Sequence, residues 1–271
     1  MTQIVVITGA ARGIGRATAL AFAEAGDVVF LTDGGTDIDV CPYPLGTLEQ
    51  LEDTAERCRR IGATAVTAAA DVREPEQIAA ALDRCRGELG SPDVLINNAG
   101  IVGPGGKLAH EFDEAEWSAM VDVDLSGVWR WAKAVLPDMV KRRSGAIVNV
   151  SSTAGLVAFP YFANYVAAKH GVVGLTRALA LDYAPFAIRV NAVCPTSVRD
   201  DPRLDSGMLA GVAGMLELDL ADYEALSLQQ HPLGTLVDAE DVAAAVVWLA
   251  SAAAKSITGA VIPIDAGFTV R

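Results

Sequence analysis

Along the chain, short runs of apolar, often β-branched residues alternate with longer stretches in which apolar residues recur at helical spacing. The short runs predict seven strands, at Gln3–Thr8, Val28–Thr32, Ala63–Ala69, Asp93–Ile96, Ala146–Ser151, Ile188–Val193 and Val261–Ile264. The helical stretches lead from the glycine turn after Thr8 to about Ala25, then cover Thr47 to Ile61, Glu74–Leu89, Phe112 to Lys141, Phe162–Tyr183 and Asp238–Ala250. Local signals mark the ends. Gly26 and Gly62 are suited to stop helices, Gly145 breaks another, and Pro75 and Asp238 stand at helix starts. Thr47 with Gln50 has the spacing of a capping box. Strand and helix alternating throughout predicts an α/β fold, a parallel sheet covered on both faces. No repeat, low-complexity stretch or linker divides residues 1–271, so one domain is expected. Two segments depart from the pattern. Gly34–Gly46 puts thirteen residues where a strand-to-helix connection usually has about two to six. Arg199–Gly234 is long, polar and methionine-containing, with short amphipathic pieces such as Met208–Leu218.

Composition narrows the class. The 271 residues are 52% hydrophobic and 20% charged, with a mean hydropathy of +0.33, which implies a large buried core. No apolar run approaches a membrane span, and the first residues lack the basic region of a signal peptide. A net charge of −13 argues against nucleic acid or an anionic membrane as partner. Cys41, Cys58, Cys85 and Cys194 form no C-x-x-C pair and only three histidines accompany them, so no metal site is expected. Free thiols suit a reducing, cytoplasmic setting.

The chemistry is concentrated at a few points. Gly9-Ala-Ala-Arg12-Gly13-Ile14-Gly15 lies between the first strand and first helix. Glycines there let backbone approach a pyrophosphate, and the helix start offers free N–H groups. Asp33 closes the second strand, 18 residues after Gly15, where a carboxylate can accept from an adenosine ribose and repel a 2′-phosphate. That favours NAD over NADP. Asp71 and Val72 follow the third strand, placed to meet an adenine ring. Tyr165 and Lys169 stand four apart on one predicted helix, with Ser152 thirteen residues before the tyrosine at a strand end. An ammonium beside a phenol lowers its pKa, and a neighbouring hydroxyl can orient a substrate oxygen. Gly34–Gly46 sits where the adenosine end of a dinucleotide would lie and is either a surface excursion or a cover over the cofactor.

Taken together, Thr8-Gly-x-x-x-Gly13-x-Gly15, Asp71, Asn97-Asn98-Ala99-Gly100, Ser152, Tyr165-x-x-x-Lys169 and Pro195 resemble the short-chain dehydrogenase/reductase family over nearly the whole chain. The resemblance implies a Rossmann-type sheet in order 3-2-1-4-5-6-7, NAD(P)-dependent interconversion of alcohol and carbonyl, and a homotetramer. It implies cofactor contacts from Gly9, Arg12, Gly13, Ile14, Gly15, Asp33, Asp71, Val72, Asn98, Ala99, Gly100, Tyr165, Lys169, Pro195, Thr196 and Val198. Asp33, Asp71 and Asn98 would hold the adenosine half. Pro42-Tyr-Pro-Leu, Pro195-Thr196 and Tyr165-Val-Ala-Ala-Lys-His-Gly-Val-Val-Gly further resemble the mycofactocin-associated, carveol-dehydrogenase-like subgroup. There the insert is held to bury NAD so that it does not exchange, and a separate redox carrier reoxidises it.

Two residues depart from the family. Asp124 stands where relatives have asparagine, which places a carboxylate near Lys169 and adds it to the candidate catalytic group. Asp200 stands where a threonine would meet the nicotinamide carboxamide, which an aspartate can only accept from. The expected activity is NAD-dependent oxidation of a secondary alcohol: Tyr165 takes the proton, Ser152 binds the same oxygen and Lys169 lowers the tyrosine pKa. The alternatives are an epimerase or isomerase that uses bound NAD in an internal redox cycle, and a catalytically weak NAD-bound partner protein. The substrate pocket is expected from Ile101–Leu108, Thr153–Phe162 and a lid at Arg199–Gly234. Val157, Phe159, Phe162, Met208 and Leu209 would make it mainly apolar, for a small alicyclic alcohol or ketone. Trp129 and Trp131 read as packing or interface residues, His170 as structural, and Arg199 and Arg203 as solvated.

Overall fold

In the computed structural model, which describes residues 2–271, seven strands form one parallel sheet. They are β1 (Ile4–Thr8), β2 (Val28–Asp33), β3 (Ala65–Ala69), β4 (Val94–Asn97), β5 (Gly145–Val150), β6 (Ile188–Pro195) and β7 (Val261–Ile264). Their spatial order is β3-β2-β1-β4-β5-β6-β7, as the resemblance implies. The order reverses between β1 and β4, which opens a crevice at the carboxyl ends of the strands. Alternate strand residues feed opposite cores. Val5 and Ile7 face one layer with Phe22, Leu51, Val242 and Val246, and Val6 faces the other with Ile78, Leu82, Trp131 and Val135.

The helices are α1 (Gly13–Glu24), α2 (Leu48–Ile61), α3 (Pro75–Glu88), α4 (Glu114–Val121), α5 (Gly127–Arg142), α6 (Ala163–Tyr183), α7 (Met208–Met215), α8 (Leu220–Gln229) and α9 (Ala239–Ala250). The capping box at the start of α2 forms, with Thr47 Oγ accepting from Gln50 N at 3.1 Å and Gln50 Oε1 accepting from Thr47 N at 3.0 Å. The continuous helix expected from Phe112 to Lys141 is broken. A π-helical turn, Asp122–Ser126, joins α4 to α5, and the N–H of Gly127 reaches back to the Asp122 carbonyl. The wider turn buries Val123 and Asp124 in succession, which the period of a regular α-helix does not favour. That helix ends at Arg142, before Gly145, with Arg143 in the left-handed region at φ 55°. Trp131 is fully buried, whereas Trp129 is half exposed with the Lys133 ammonium 5.1 Å from its ring centroid. No helix among the described residues is long and apolar enough to cross a membrane.

One buried cation ties the glycine turn to its surroundings. Arg16 of α1 is fully enclosed and donates to Thr54 Oγ1 (2.9 Å), the Ala11 carbonyl (2.7 Å), the Gln50 carbonyl (3.0 Å) and Asp205 Oδ2 (2.6 Å). It thereby joins the glycine turn, α2 and the loop before α7. Arg16→Met should lower unfolding free energy by about 2 kcal/mol, since several charge-assisted hydrogen bonds go with the guanidinium. Urea unfolding of the two proteins measures this directly.

Candidate active site

The crevice at the sheet switch point holds a cleft of about 300 Å³ that runs from the β1–α1 turn to α7. At one end the glycine turn has open backbone. Gly9 and Gly13 take positive φ values of 65° and 55°, and a Cβ on Gly15 would stand 2.0 Å from the Gly9 carbonyl oxygen. No side chain caps α1, so its first N–H groups face the cleft. Asn98 builds this turn. Its Nδ2 donates to the Thr8 and Gly9 carbonyls at 2.9 and 3.0 Å, and Thr8 Oγ1 accepts from the N–H groups of Asn98 and Ala99. Its amide nitrogen is therefore engaged by turn carbonyls that a strand end leaves unpaired, while Asn98 remains on the cleft wall.

The acidic residues divide in the same way. Asp33 accepts from Ala11 N at 3.1 Å and Gly35 N at 3.4 Å and still lines the cleft; burial pushes its pKa up. Asp71 is clamped by Arg73, with Oδ2 2.6 Å from Nη2, and the ion pair outweighs burial and holds its pKa down. The side chain is thus committed to Arg73, while Asp71 and Val72 both remain on the cleft wall. Asp200, which stands where the family has a threonine, accepts from Leu209 N at 3.1 Å and Ala210 N at 2.9 Å and so caps the first turn of α7. Thr196, at the end of β6, pairs instead with His231, whose Nε2 lies 3.1 Å from its hydroxyl. His231 is buried, and burial pushes its pKa down. Nothing in the local sequence around His231 signalled this contact.

At the other end, Tyr165 and Lys169 lie one turn apart on α6, the ammonium 5.5 Å from the phenol ring centroid. Ser152, just past β5, hydrogen-bonds the phenol and pulls its pKa down, while its Oγ also accepts from Ala154 N at 3.1 Å. Lys169 is almost wholly buried and forms an ion pair with fully buried Asp124 at 2.9 Å; it also donates to the Val150 carbonyl at 3.4 Å. The other Asp124 oxygen accepts from Ile101 N at 2.8 Å. Gly100 leaves room for this pair, because a Cβ there would come within 3.1 Å of Asp124 Oδ2 and 3.3 Å of Lys169 Nζ. Burial opposes the Lys169 charge, yet Asp124 and the phenol prevail and hold the ammonium protonated. Burial pushes the Tyr165 pKa up, Lys169 pulls it down and Asp124 pushes it back up.

Segment 34–46 lies over the glycine turn and Asp33. Arg12 Nη2 donates to the Pro44 carbonyl at 2.8 Å, and a Cβ on Gly46 would meet Ala11 at 2.8 Å and both Asp33 oxygens at 3.2 Å. Phe159, Phe162, Met208 and Leu209 line the cleft as expected, and Val157 does not. Ile14, Gly100, Pro195 and Val198 line it as well. His170 is on the outside, its Nδ1 2.9 Å from the Val166 carbonyl. Arg199 and Arg203 pair with Asp238 and Asp201 on the surface.

The open glycine backbone and the free helix start are the cradle a pyrophosphate needs, and Asp33 lines the same cleft beside them. Together with the phenol and ammonium at the far end, these features define an oxidoreductase that binds a nicotinamide dinucleotide. Residues 9–269 match a family model described as enoyl-(acyl carrier protein) reductase. The chain is 40% identical over 272 residues to a (−)-trans-carveol dehydrogenase of Rhodococcus erythropolis, covering 99% of this chain and 98% of the relative. It is 39% identical to a cis-4-hydroxycyclohexanecarboxylate dehydrogenase of Sinomonas cyclohexanicum over 98% of this chain and 96% of the relative. The crystal structure of carveol dehydrogenase from Mycobacterium avium in complex with NAD superposes with a TM-score of 0.91 at 35% identity, covering 99% of this chain and 98% of that one. The chain belongs to the short-chain dehydrogenase/reductase family.

The buried ion pair makes a direct stability forecast. Asp124→Ala strands the Lys169 charge and should cost about 3 kcal/mol, and adding Lys169→Met should restore most of that. A double-mutant cycle by urea unfolding checks the pair, and additive losses would contradict it.

Proposed function

We propose that the chain is an NAD-dependent dehydrogenase of small alicyclic secondary alcohols, working with an NAD retained beneath segment 34–46. The observation that carries this reading is the buried Asp124–Lys169 pair beneath the Tyr165 phenol, at the apolar end of a cleft whose other end is a pyrophosphate cradle. The relatives' names denote carveol and a hydroxycyclohexanecarboxylate, both ring alcohols, and the lining from Phe159, Phe162 and Leu209 suits a compact apolar ring.

In this reading the Tyr165 phenolate accepts the proton of the substrate hydroxyl. Ser152 hydrogen-bonds the same oxygen and fixes it against the phenol. Lys169, kept charged by Asp124, stabilises the phenolate. When bound, the oxidised nicotinamide would supply the hydride acceptor. Asp33 hydrogen-bonds a ribose hydroxyl, and its charge disfavours a 2′-phosphate, so NAD is chosen over NADP. Thr196, positioned by His231, serves the nicotinamide end in place of Asp200.

Retention of NAD is supported by the ties of segment 34–46 to both flanks of the crevice, through Arg12 to Pro44 and through Gly46 against Ala11 and Asp33. A retained cofactor needs a separate redox carrier to reoxidise it, as the mycofactocin-associated resemblance implies. The exposed groove of Trp129, Pro137, Val140 and Tyr183 on α5 and α6 suits self-association into the expected homotetramer.

Tyr165→Phe should lower turnover about 10³-fold while the variant keeps its NAD. Mass spectrometry of denatured wild type and variant, beside single-turnover assays, reads both quantities; a variant with near-normal rate would refute the role of the phenol. A second expectation concerns pH. Oxidation requires phenolate, and Asp124 raises the Tyr165 pKa, so removing that negative charge lowers it. In Asp124→Asn the alkaline rise of kcat/KM should therefore move to lower pH, which a pH–rate profile of the two proteins reads.

A further inference from the structure

Segment 34–46 reaches beyond the nucleotide. Its Tyr43 extends past the cofactor end of the cleft and inserts between the loop after β4 and the first helix of segment 199–234. The hydroxyl accepts from Val102 N at 2.7 Å. Its ring lies against Gly211 in α7, where an added Cβ would meet the ring at 3.0 Å. Pro42 packs beside it on Gly103, where a Cβ would stand 2.8 Å from the proline ring and from the Met215 sulfur. Tyr43 is packed against a small apolar cluster of Val102, Phe162 and Val212, the same cluster that Phe159 and Tyr165 pack against, and it lines the cleft. Burial keeps the phenol neutral. A ring held at its hydroxyl by a backbone N–H and along its face by a helix is a fixed wall, since both degrees of side-chain freedom are restrained.

We infer that Tyr43 is a specificity-determining residue, a rigid wall of the substrate pocket that sets the largest ring the site accepts. The inference rests on the proposed alcohol dehydrogenase reading and extends it. A segment placed by sequence at the adenosine end supplies a surface to the substrate at the opposite end. The cavity is bounded there by Tyr43, Val102, Phe159, Phe162 and Val212, all apolar in what they present. Discrimination by such a wall is steric and modest per methylene, so it accumulates over a series of ring sizes.

Three variants with opposed expectations test this. Tyr43→Ala removes the wall. Tyr43→Phe keeps the ring and loses only the tie to Val102. Gly211→Ala pushes the ring off α7 and into the cavity. Each is compared with wild type on cycloalkanols from cyclopentanol to cyclododecanol, with retained NAD quantified by mass spectrometry in every preparation. In Tyr43→Ala the ratio of kcat/KM for cyclododecanol over cyclohexanol should rise at least tenfold. In Tyr43→Phe it should change less than threefold, and in Gly211→Ala it should fall. An unchanged ratio in Tyr43→Ala, in protein that retains NAD as wild type does, overturns the inference and leaves the dehydrogenase reading standing. Wild type inactive on every cycloalkanol and cycloalkanone sinks the dehydrogenase reading instead. Tyr43 is then judged by thermal shift with the same series: an optimum ring size that grows in Tyr43→Ala supports the wall, and identical profiles or no shift at all reject it.

Discussion

The ion pair between Asp124 and Lys169 is the constraint around which the reactive end is arranged. Two charges removed from water are costly unless each is met closely and its remaining hydrogen-bonding capacity is used. Here the carboxylate also takes the N–H of Ile101 and the ammonium also reaches the Val150 carbonyl, so three separate segments converge on the pair. The π-helical turn at Asp122–Ser126 swings Asp124 inward to complete it. Gly100 is small because the pair occupies the space a side chain would need. The phenol of Tyr165 then sits over a cation whose charge state is settled by burial and partner together. The same carboxylate that keeps the cation charged weakens its pull on the phenol, and that tension distinguishes this site from one with a neutral amide at the same position.

Much of the architecture was readable from periodicity and punctuation. Every strand lies within two residues of its expected place, the capping box of Thr47 and Gln50 forms, and the alternation of elements predicted the parallel sheet. The cleft brings together Gly9, Gly15, Asp33, Ser152, Tyr165 and Lys169, which the spacing alone had only aligned along the chain. What escaped was competition for hydrogen bonds. Spacing can say that Asn98, Asp71 and Asp200 lie near a crevice. It is silent on the Gly9 carbonyl, the Arg73 guanidinium and the α7 N-terminus that claim them first. The π turn escaped for a related reason, because one extra residue in a helix leaves the surrounding apolar period intact. His231 was invisible because its partner, Thr196, is brought to it only by the return of the chain.

The two ends of the cleft are built with different stiffness. The nucleotide end rests on strand termini, a glycine turn and the enclosed Arg16, all tied to the sheet and its flanking helices. The far end is closed by two short helices, α7 and α8, which leave Met208, Leu226 and Leu228 substantially exposed. Strand termini tied into a sheet make a firmer wall than short helices whose ties run to loops.

The capping of α7 by Asp200 has a mechanical consequence. A carboxylate holding two N–H groups of the first turn pins that end of the helix to the strand it follows, at the mouth of the crevice. The distal end is held as well, with Met215 packed against Gly103 and Gly106 of the loop after β4. The helix is thus tied at Asp200 and again at Met215, and Gly211, against which the Tyr43 ring lies, falls between the two ties.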